Sequence, residues 1–151
     1  MLLHELVTSN EGVLLDEEDL KNYMFKTACI NNGGYISVGY KGKSTLLHRL
    51  ILGFPASDID HINRNKLDNR KENLRLCTET QNNANTGPQA NNTSGYKGVY
   101  KHRDQWQAQI VHKGKKIHIG YYPSKELAAV AYNIYAKSLF KEFAHLNTIE
   151  T

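Results

Sequence analysis

The chain has 151 residues, room for one ordinary domain or two small ones, and its apolar fraction of 40% is that of a folded protein. No window is apolar enough for a membrane span, and Met1-Leu2-Leu3-His4-Glu5 carries an acid early with no apolar signal core, so a soluble cytoplasmic chain without a signal peptide is expected. The net charge of +4 inclines it toward a polyanion, and the distribution sharpens this: Asp16-Glu17-Glu18-Asp19 collects acids, whereas Asp104 is the one acid among the lysines and arginines of residues 94–118.

In chain order, the short apolar runs Leu2–Val7 and Val13–Leu15 read as strands. Asp16 is placed to N-cap a short helix through the acidic run, with Asp19 three positions on. The turn chemistry of Asn31-Asn32-Gly33-Gly34, the alternation of Tyr35-Ile36-Ser37-Val38 and a second turn at Lys41-Gly42-Lys43 predict a hairpin. Leu46–Leu52 reads as a buried helix or strand, which periodicity cannot decide.

Asp58–Ile62 and Leu74–Cys77 are short apolar pieces around a polar loop rich in Asn, Lys and Arg. Thr78-Glu79-Thr80-Gln81 has capping-box form, so the unit reads strand, loop, strand, helix, with Asn82 in the helix's first turn. The stretch from Asn82 to Gly95 is nearly free of charge and large apolar groups and reads as a linker. Beyond it, Lys97–His102, Trp106–His112 and Lys115–Tyr122 read as a three-stranded antiparallel sheet. Ser124 caps a helix over Lys125–Phe140, with Leu127, Val130, Ala131, Ile134 and Tyr135 expected as its buried stripe. The expected organisation is therefore α+β, with domains at 1–83 and 94–151 and a linker at 84–93.

Hydrolysis of a phosphodiester requires deprotonation of water, neutralisation of charge on the phosphoryl oxygens and stabilisation of the leaving oxygen. Asp60, His61 and Asn82 together offer a neutral imidazole base and hard oxygen donors for a divalent cation, magnesium by preference and manganese as an alternative. Arg64, Lys66, Arg70, Lys71 and Arg75 crowd the loop beside them as candidate phosphate clamps. Cys29 and Cys77 form no Cys-x-x-Cys pair, so structural zinc is not expected and two buried, reduced thiols are.

Asp60-His61, Asn73-Leu74-Arg75 and Asn82 resemble the HNH, or ββα-metal, nuclease motif in its His-Asn-Asn variant, found in phage and group I intron homing endonucleases. Gly33-Gly34-Tyr35, Leu47-His48-Arg49-Leu50 and Leu67-Asp68-Asn69-Arg70 are similar to the same family. The resemblance implies Asp60 and Asn82 as metal ligands, His61 as the base and Asn73 as a catalytic-site residue that braces the loop and orients His61. Asn83 takes the place of Asn82 if the register slips by one. His48 recurs in the pattern and is read as a hydrogen-bonded structural histidine.

A second resemblance rests on Tyr96-Lys97-Gly98-Val99, Trp106-Gln107-Ala108-Gln109-Ile110, Ile119-Gly120-Tyr121-Tyr122, the run Glu126–Tyr132 and Ala144-His145-Leu146-Asn147. These pieces are similar to the Apetala-type domain of plant ethylene-response transcription factors, in which a three-stranded sheet enters the major groove. It implies DNA contacts at Lys97, Tyr100, His102, Val111, Lys116 and His118, of which Val111 cannot serve as a cation; Arg103 is a further DNA-binding candidate. Trp106, Tyr121, Tyr122, Tyr132 and Tyr135 are read as packing residues. The expected activity is that of a metal-dependent endonuclease on double-stranded DNA, with a monomer sufficient for one centre. The alternative is a DNA-binding protein or regulator without cutting activity.

Overall fold

The computed structural model describes residues 1–8 and 11–149. They form a mixed α/β chain of three small antiparallel sheets and five α-helices, divided into two compact units at Thr78/Glu79.

In the first unit, α1 (Leu3–Thr8) replaces the strand expected over Leu2–Val7. Glu5 Oε2 accepts from the Leu2 backbone N–H at 2.7 Å, the acidic half of a capping box, while Leu3 and Leu6 turn inward one helical turn apart. Val13–Leu15 forms no strand either. Leu14 makes a single parallel bridge to Asp68, donating to the Leu67 carbonyl and accepting from the Asn69 N–H, each at 2.9 Å. Helix α2 (Glu17–Tyr23) begins after Asp16 as expected, but the Asp16 carboxylate accepts from the Lys71 N–H at 2.8 Å rather than capping its own helix.

Strands β1 (Ala28–Ile30), β2 (Ile36–Tyr40) and β3 (Lys43–Leu46) form one sheet in that order. The β2–β3 turn has Lys41 and Gly42 at φ 48° and 75°, the paired left-handed geometry that suits a twisted two-residue hairpin. Leu46–Leu52 resolves into the end of β3 and helix α3 (Leu47–Ile51). The core joins Leu3, Leu6, Val13, Ala28, Ile36, Val38, Leu47 and Leu50. Each fully buried large side chain there contributes about 2 kcal/mol. A hairpin of β4 (Asp58–His61) and β5 (Leu74–Cys77) completes the unit, its register pairing Asp60 with Arg75 and His61 with Leu74.

The second unit opens with α4 (Glu79–Asn85), the helix that carries Asn82. Strands β6 (Val99–His102), β7 (Gln105–His112) and β8 (Lys115–Tyr122) follow in sequential antiparallel order, with a bulge at Ala108/Gln109. Helix α5 (Lys125–Phe140) starts at the predicted cap, where Ser124 Oγ accepts from the Leu127 N–H at 3.2 Å.

The buried face of α5 corrects the sequence expectation. Ala128, Ala129, Tyr132, Ala136 and Phe140 meet the sheet, while Leu127, Val130, Ile134 and Tyr135 are exposed and Ala131 is half-buried. Alanines let the helix approach the sheet closely, and the bulk needed between them comes from Tyr132 and the sheet's own Val99 and Trp106. Gly98, at φ 74°, lies where a Cβ would collide with the Tyr132 ring and the Gln109 carbonyl.

The end of the presumed linker is also structured. Ser94 is buried and its hydroxyl reaches the carbonyls of Tyr96 and Val99, while Asn92 Oδ1 accepts from Gly95 N–H and Ser94 Oγ. Two short polar side chains, Asn92 and Ser94, satisfy each other and the start of β6 without a core of their own.

Candidate active site

The β4–β5 loop, residues 62–73, is built from side-chain amides. Asn63 Oδ1 accepts from the Asn65 N–H at 2.8 Å and Asn65 Oδ1 from the Leu67 N–H at 3.1 Å, two successive Asx turns. Asn73 Oδ1 accepts from the Asn63 N–H at 3.0 Å, and its Nδ2 donates to the Asp68 carbonyl at 2.8 Å. Asn73 thus ties the two ends of the loop together. Arg64 sits at φ 64°, a conformation a non-glycine residue adopts only when its surroundings impose it.

His61, at the end of β4, is 4% exposed. Its Nε2 faces Asn69 Oδ1 at 3.4 Å, and its ring packs near Tyr35 (5.9 Å between centroids) and edge-on to His48 (5.2 Å). Burial lowers its pKa, opposed by the Asn69 hydrogen bond and the Asp60 and Asp68 charges, so the imidazole is held neutral at physiological pH. The resemblance gives Asn73 a share in orienting this ring through backbone hydrogen bonds, and the Asn73 carbonyl accepts from the neighbouring Ile62 N–H at 2.9 Å. Asn69 also meets the ring; it is wholly buried and anchored by its own Nδ2 donating to the Lys66 carbonyl at 3.2 Å.

His48 is buried beside it, its ring 5.4 Å from that of Tyr35. Desolvation, then His61 and Arg49, push its pKa down to about 4. Its Nδ1 has no hydrogen-bond partner, so the expected hydrogen-bonded histidine is instead a packed aromatic one at that atom.

Asp60, buried next to His61, takes both Nε and Nη2 of Arg75 on its Oδ2, at 2.8 and 2.7 Å. Other cations of the loop are similarly committed. Arg70 forks onto Asp68 (2.9 and 2.8 Å) and meets Glu72 at 2.8 Å; Lys71 reaches Glu18 and Asp19 at 3.5 and 3.3 Å. The fork holds the Asp68 carboxyl below its ordinary pKa and raises that of Arg70. Lys66 donates to the Gly33 carbonyl at 2.8 Å and lies 4.3 Å from the Tyr35 ring centroid. Arg64 is exposed.

Asn82 is half-buried on α4 and Asn83 exposed beside it, both in the second unit. Among the described residues no group of three or more His, Cys, Asp or Glu converges as a metal cage. Cys77 is buried, with its thiol pushed up to about 11 chiefly by desolvation, whereas Cys29 is exposed, against the expectation of two buried thiols.

In the second unit the sheet has one face against α5 and one facing outward. Tyr100 and His102 on β6, Gln107 and Val111 on β7, and Lys116, His118 and Tyr121 on β8 belong to the outward face, with Arg103 at the β6–β7 turn. Tyr121, read as packing, is 46% exposed and stands between the rings of His118 (4.6 Å) and His102 (5.0 Å). Trp106 packs against the core as expected, with Lys101 Nζ 4.8 Å from its ring. Lys97 is placed elsewhere: its ammonium donates to the carbonyls of Asn83, Ala84 and Thr86 at 3.2, 2.7 and 2.6 Å.

Residues 46–84, which contain β4, its loop, β5 and all of α4 but its last residue, match the family model described as HNH endonuclease. The chain is 39% identical over 129 residues to an uncharacterized HNH endonuclease of Acanthamoeba polyphaga mimivirus, an alignment covering 80% of this chain and 66% of that relative. It is 34% identical over 90 residues to Protein 3.8 of Escherichia phage T7, covering 57% of this chain and 72% of the phage protein. The chain therefore spans just under two thirds of the mimivirus relative. No solved structure matches it.

Proposed function

We propose, from the match of residues 46–84 to the HNH endonuclease family model, that this chain is a metal-dependent endonuclease of homing type that hydrolyses phosphodiester bonds in double-stranded DNA. The observation that carries this reading is His61, a buried imidazole kept neutral by desolvation, oriented by an amide, and adjacent in sequence to a buried carboxylate. A neutral imidazole accepts the proton of an attacking water near physiological pH.

Asp60 is the residue of the first unit that would hold a divalent cation, and the family resemblance alone adds the Asn82 amide oxygen to its ligands. The donor set fits magnesium, which binds through one or two carboxylates with waters and substrate phosphate completing the shell; manganese fits the same oxygens. Bound there, the cation supplies charge neutralisation for the phosphoryl oxygens and the leaving oxygen. The chain's own contribution is to hold His61 neutral and aimed, to fix Asp60 in place against Arg75, and to fix the loop through Asn73. Arg75, held on Asp60 at 2.7 Å, is the cation proposed to meet the substrate phosphate there.

The outward sheet face of the second unit is the proposed docking surface, in the manner of an Apetala-type module. Tyr100, His102, Arg103, Lys116 and His118 lie on or beside that face with no carboxylate among the strand residues that form it. Arg64 and the loop cations are the proposed phosphate contacts near the cut. One centre per chain serves a monomer.

The test is cleavage of supercoiled plasmid with magnesium, with manganese and with EDTA, beside His61→Ala. Nicking or linearisation that needs metal and vanishes in the variant supports the reading. Retardation of DNA without any product replaces it with the non-catalytic DNA-binding protein.

A further inference from the structure

We propose that Gln107 is a base-reading residue of the second unit, selecting an adenine in the major groove, with its amide held ready by His118. This rests on the reading of the outward sheet face as the DNA-docking surface, and deepens it to the base.

Gln107 is the third residue of β7, the central strand, with Tyr100 opposite on β6 and Tyr121 opposite on β8. Its neighbours Trp106 and Ala108 belong to the core cluster, so alternation along the strand sends Gln107 outward. Three strands at about 4.8 Å spacing put the outer two roughly 10 Å apart, which fits a major groove about 12 Å wide. The central strand then lies deepest, and its outward residues meet base edges rather than phosphates.

The amide is not loose. Gln107 Nε2 lies 3.0 Å from His118 Nδ1, so the amide N–H donates to the ring and His118 carries its own proton on Nε2. The His118 ring packs at a 50° tilt against Tyr121 with centroids 4.6 Å apart, and Tyr121 contacts His102 at 5.0 Å. A chain of three aromatic groups across the sheet thus fixes one end of the glutamine. The second N–H of Nε2 and the oxygen Oε1 remain on the outward side as a donor–acceptor pair. Adenine presents the complementary pair in the major groove, N7 accepting and the N6 amine donating; guanine presents two acceptors, which suit arginine instead. Lysine and arginine near this face lie at its rim (Arg103, Lys113, Lys115, Lys116), where phosphates run, and its centre carries amide, imidazole and phenol groups. Holding the amide in place before binding removes the ordering cost that a free glutamine side chain carries.

The experiment is selection of bound duplexes from a random library by the full chain in EDTA, where cutting is suppressed. Wild type is compared with Gln107→Ala, Gln107→Arg and His118→Phe, the last keeping a ring against Tyr121 without the acceptor. Thermal melts confirm that each variant folds. A wild-type consensus with a fixed adenine, a preference for it that drops by about tenfold in Gln107→Ala and weakens in His118→Phe, and a change to guanine at that position in Gln107→Arg is the expected result. A consensus that Gln107→Ala and Gln107→Arg leave unchanged overturns the assignment while leaving docking intact, as does binding with no base preference. Absence of DNA binding by the wild type overturns the docking surface itself.

Discussion

Asn69 presents Oδ1, not Nδ2, to His61 Nε2: the amide nitrogen is spent on the Lys66 carbonyl at 3.2 Å, and the oxygen stands 3.4 Å from the ring. An acceptor at Nε2 requires the proton there, which leaves the lone pair on Nδ1. Asn69 therefore selects the tautomer of the His61 ring as well as its direction, the service a buried carboxylate gives the histidine of a serine protease.

Asn69→Ala is expected to lower kcat for plasmid cleavage by about ten- to a hundredfold, since the ring loses its tautomer preference and its fixed aim. Nitrogen-15 shifts of the His61 ring distinguish this from general damage. Wild type should show a protonated Nε2 and bare Nδ1, and the variant a mixture. An unchanged ring spectrum with lost activity would assign Asn69 to the loop's stability alone.

Arg75 and Asp60 face each other across β4 and β5 and are both largely buried, so removing the guanidinium leaves a desolvated carboxylate. Arg75→Gln should destabilise the protein by about 3 kcal/mol in EDTA. A cation at Asp60 then meets less repulsion, so added magnesium should restore more stability to the variant than it adds to wild type. Denaturant unfolding with and without magnesium reads both quantities. Equal magnesium effects in the two proteins would remove Asp60 as a ligand.

The β4–loop–β5 unit was legible because apolar pieces bracket a run of Asn, Lys and Arg that has nowhere to go but a loop, and Thr78-Glu79-Thr80-Gln81 marks the helix that follows. The partners of the loop's cations were not. That Arg75 lies opposite Asp60 depends on hairpin register, and that Lys71 meets Asp19 depends on the packing of a segment more than fifty residues earlier. The buried face of α5 was misread for a different reason. Leu127, Val130 and Ile134 are the more hydrophobic stripe, yet the sheet needed small residues for close approach, and Ala128, Ala129 and Ala136 supply them. Volume decided the face. At the N-terminus, six apolar and polar residues fit either period, and a single side-chain contact from Glu5 to Leu2 settled it as helix.

His48 carries a pH prediction. Its pKa is lowered from 6.5 to about 4 in the folded protein, so the unfolded chain binds the extra proton first. Stability is therefore full above about pH 6.5 and falls as the pH drops toward 4, by up to about 3 kcal/mol for this group. His61, shifted in the same direction, adds to the slope. Urea unfolding at pH 7 and pH 4.5 should give a smaller stability loss in His48→Gln than in wild type. The acid limb of the cleavage profile should likewise lie below pH 6.5, because burial keeps His61 neutral there.

Lys97 separates a phosphate contact from an internal tie. Its ammonium donates to the carbonyls of Asn83 and Ala84 in the last turn of α4 and of Thr86 just beyond, beside the Thr86 and His145 N–H groups that meet the first two. Its backbone is held as well: Asn147 Oδ1 accepts from the Lys97 N–H at 2.7 Å, and Asn147 Nδ2 donates to the Lys97 carbonyl at 3.1 Å. Lys97→Met keeps the stem and removes the donor, so it should cost the second unit about 1–3 kcal/mol in a thermal or denaturant melt. The dependence of DNA affinity on salt should keep its slope, since no phosphate contact is lost. Lys116→Ala is the contrasting case: Lys116 is exposed on β8, its loss should leave the melt almost unmoved, and the slope of log K against log salt should become shallower by about 0.9. A Lys97→Met protein with normal stability and a shallower slope would return Lys97 to the DNA.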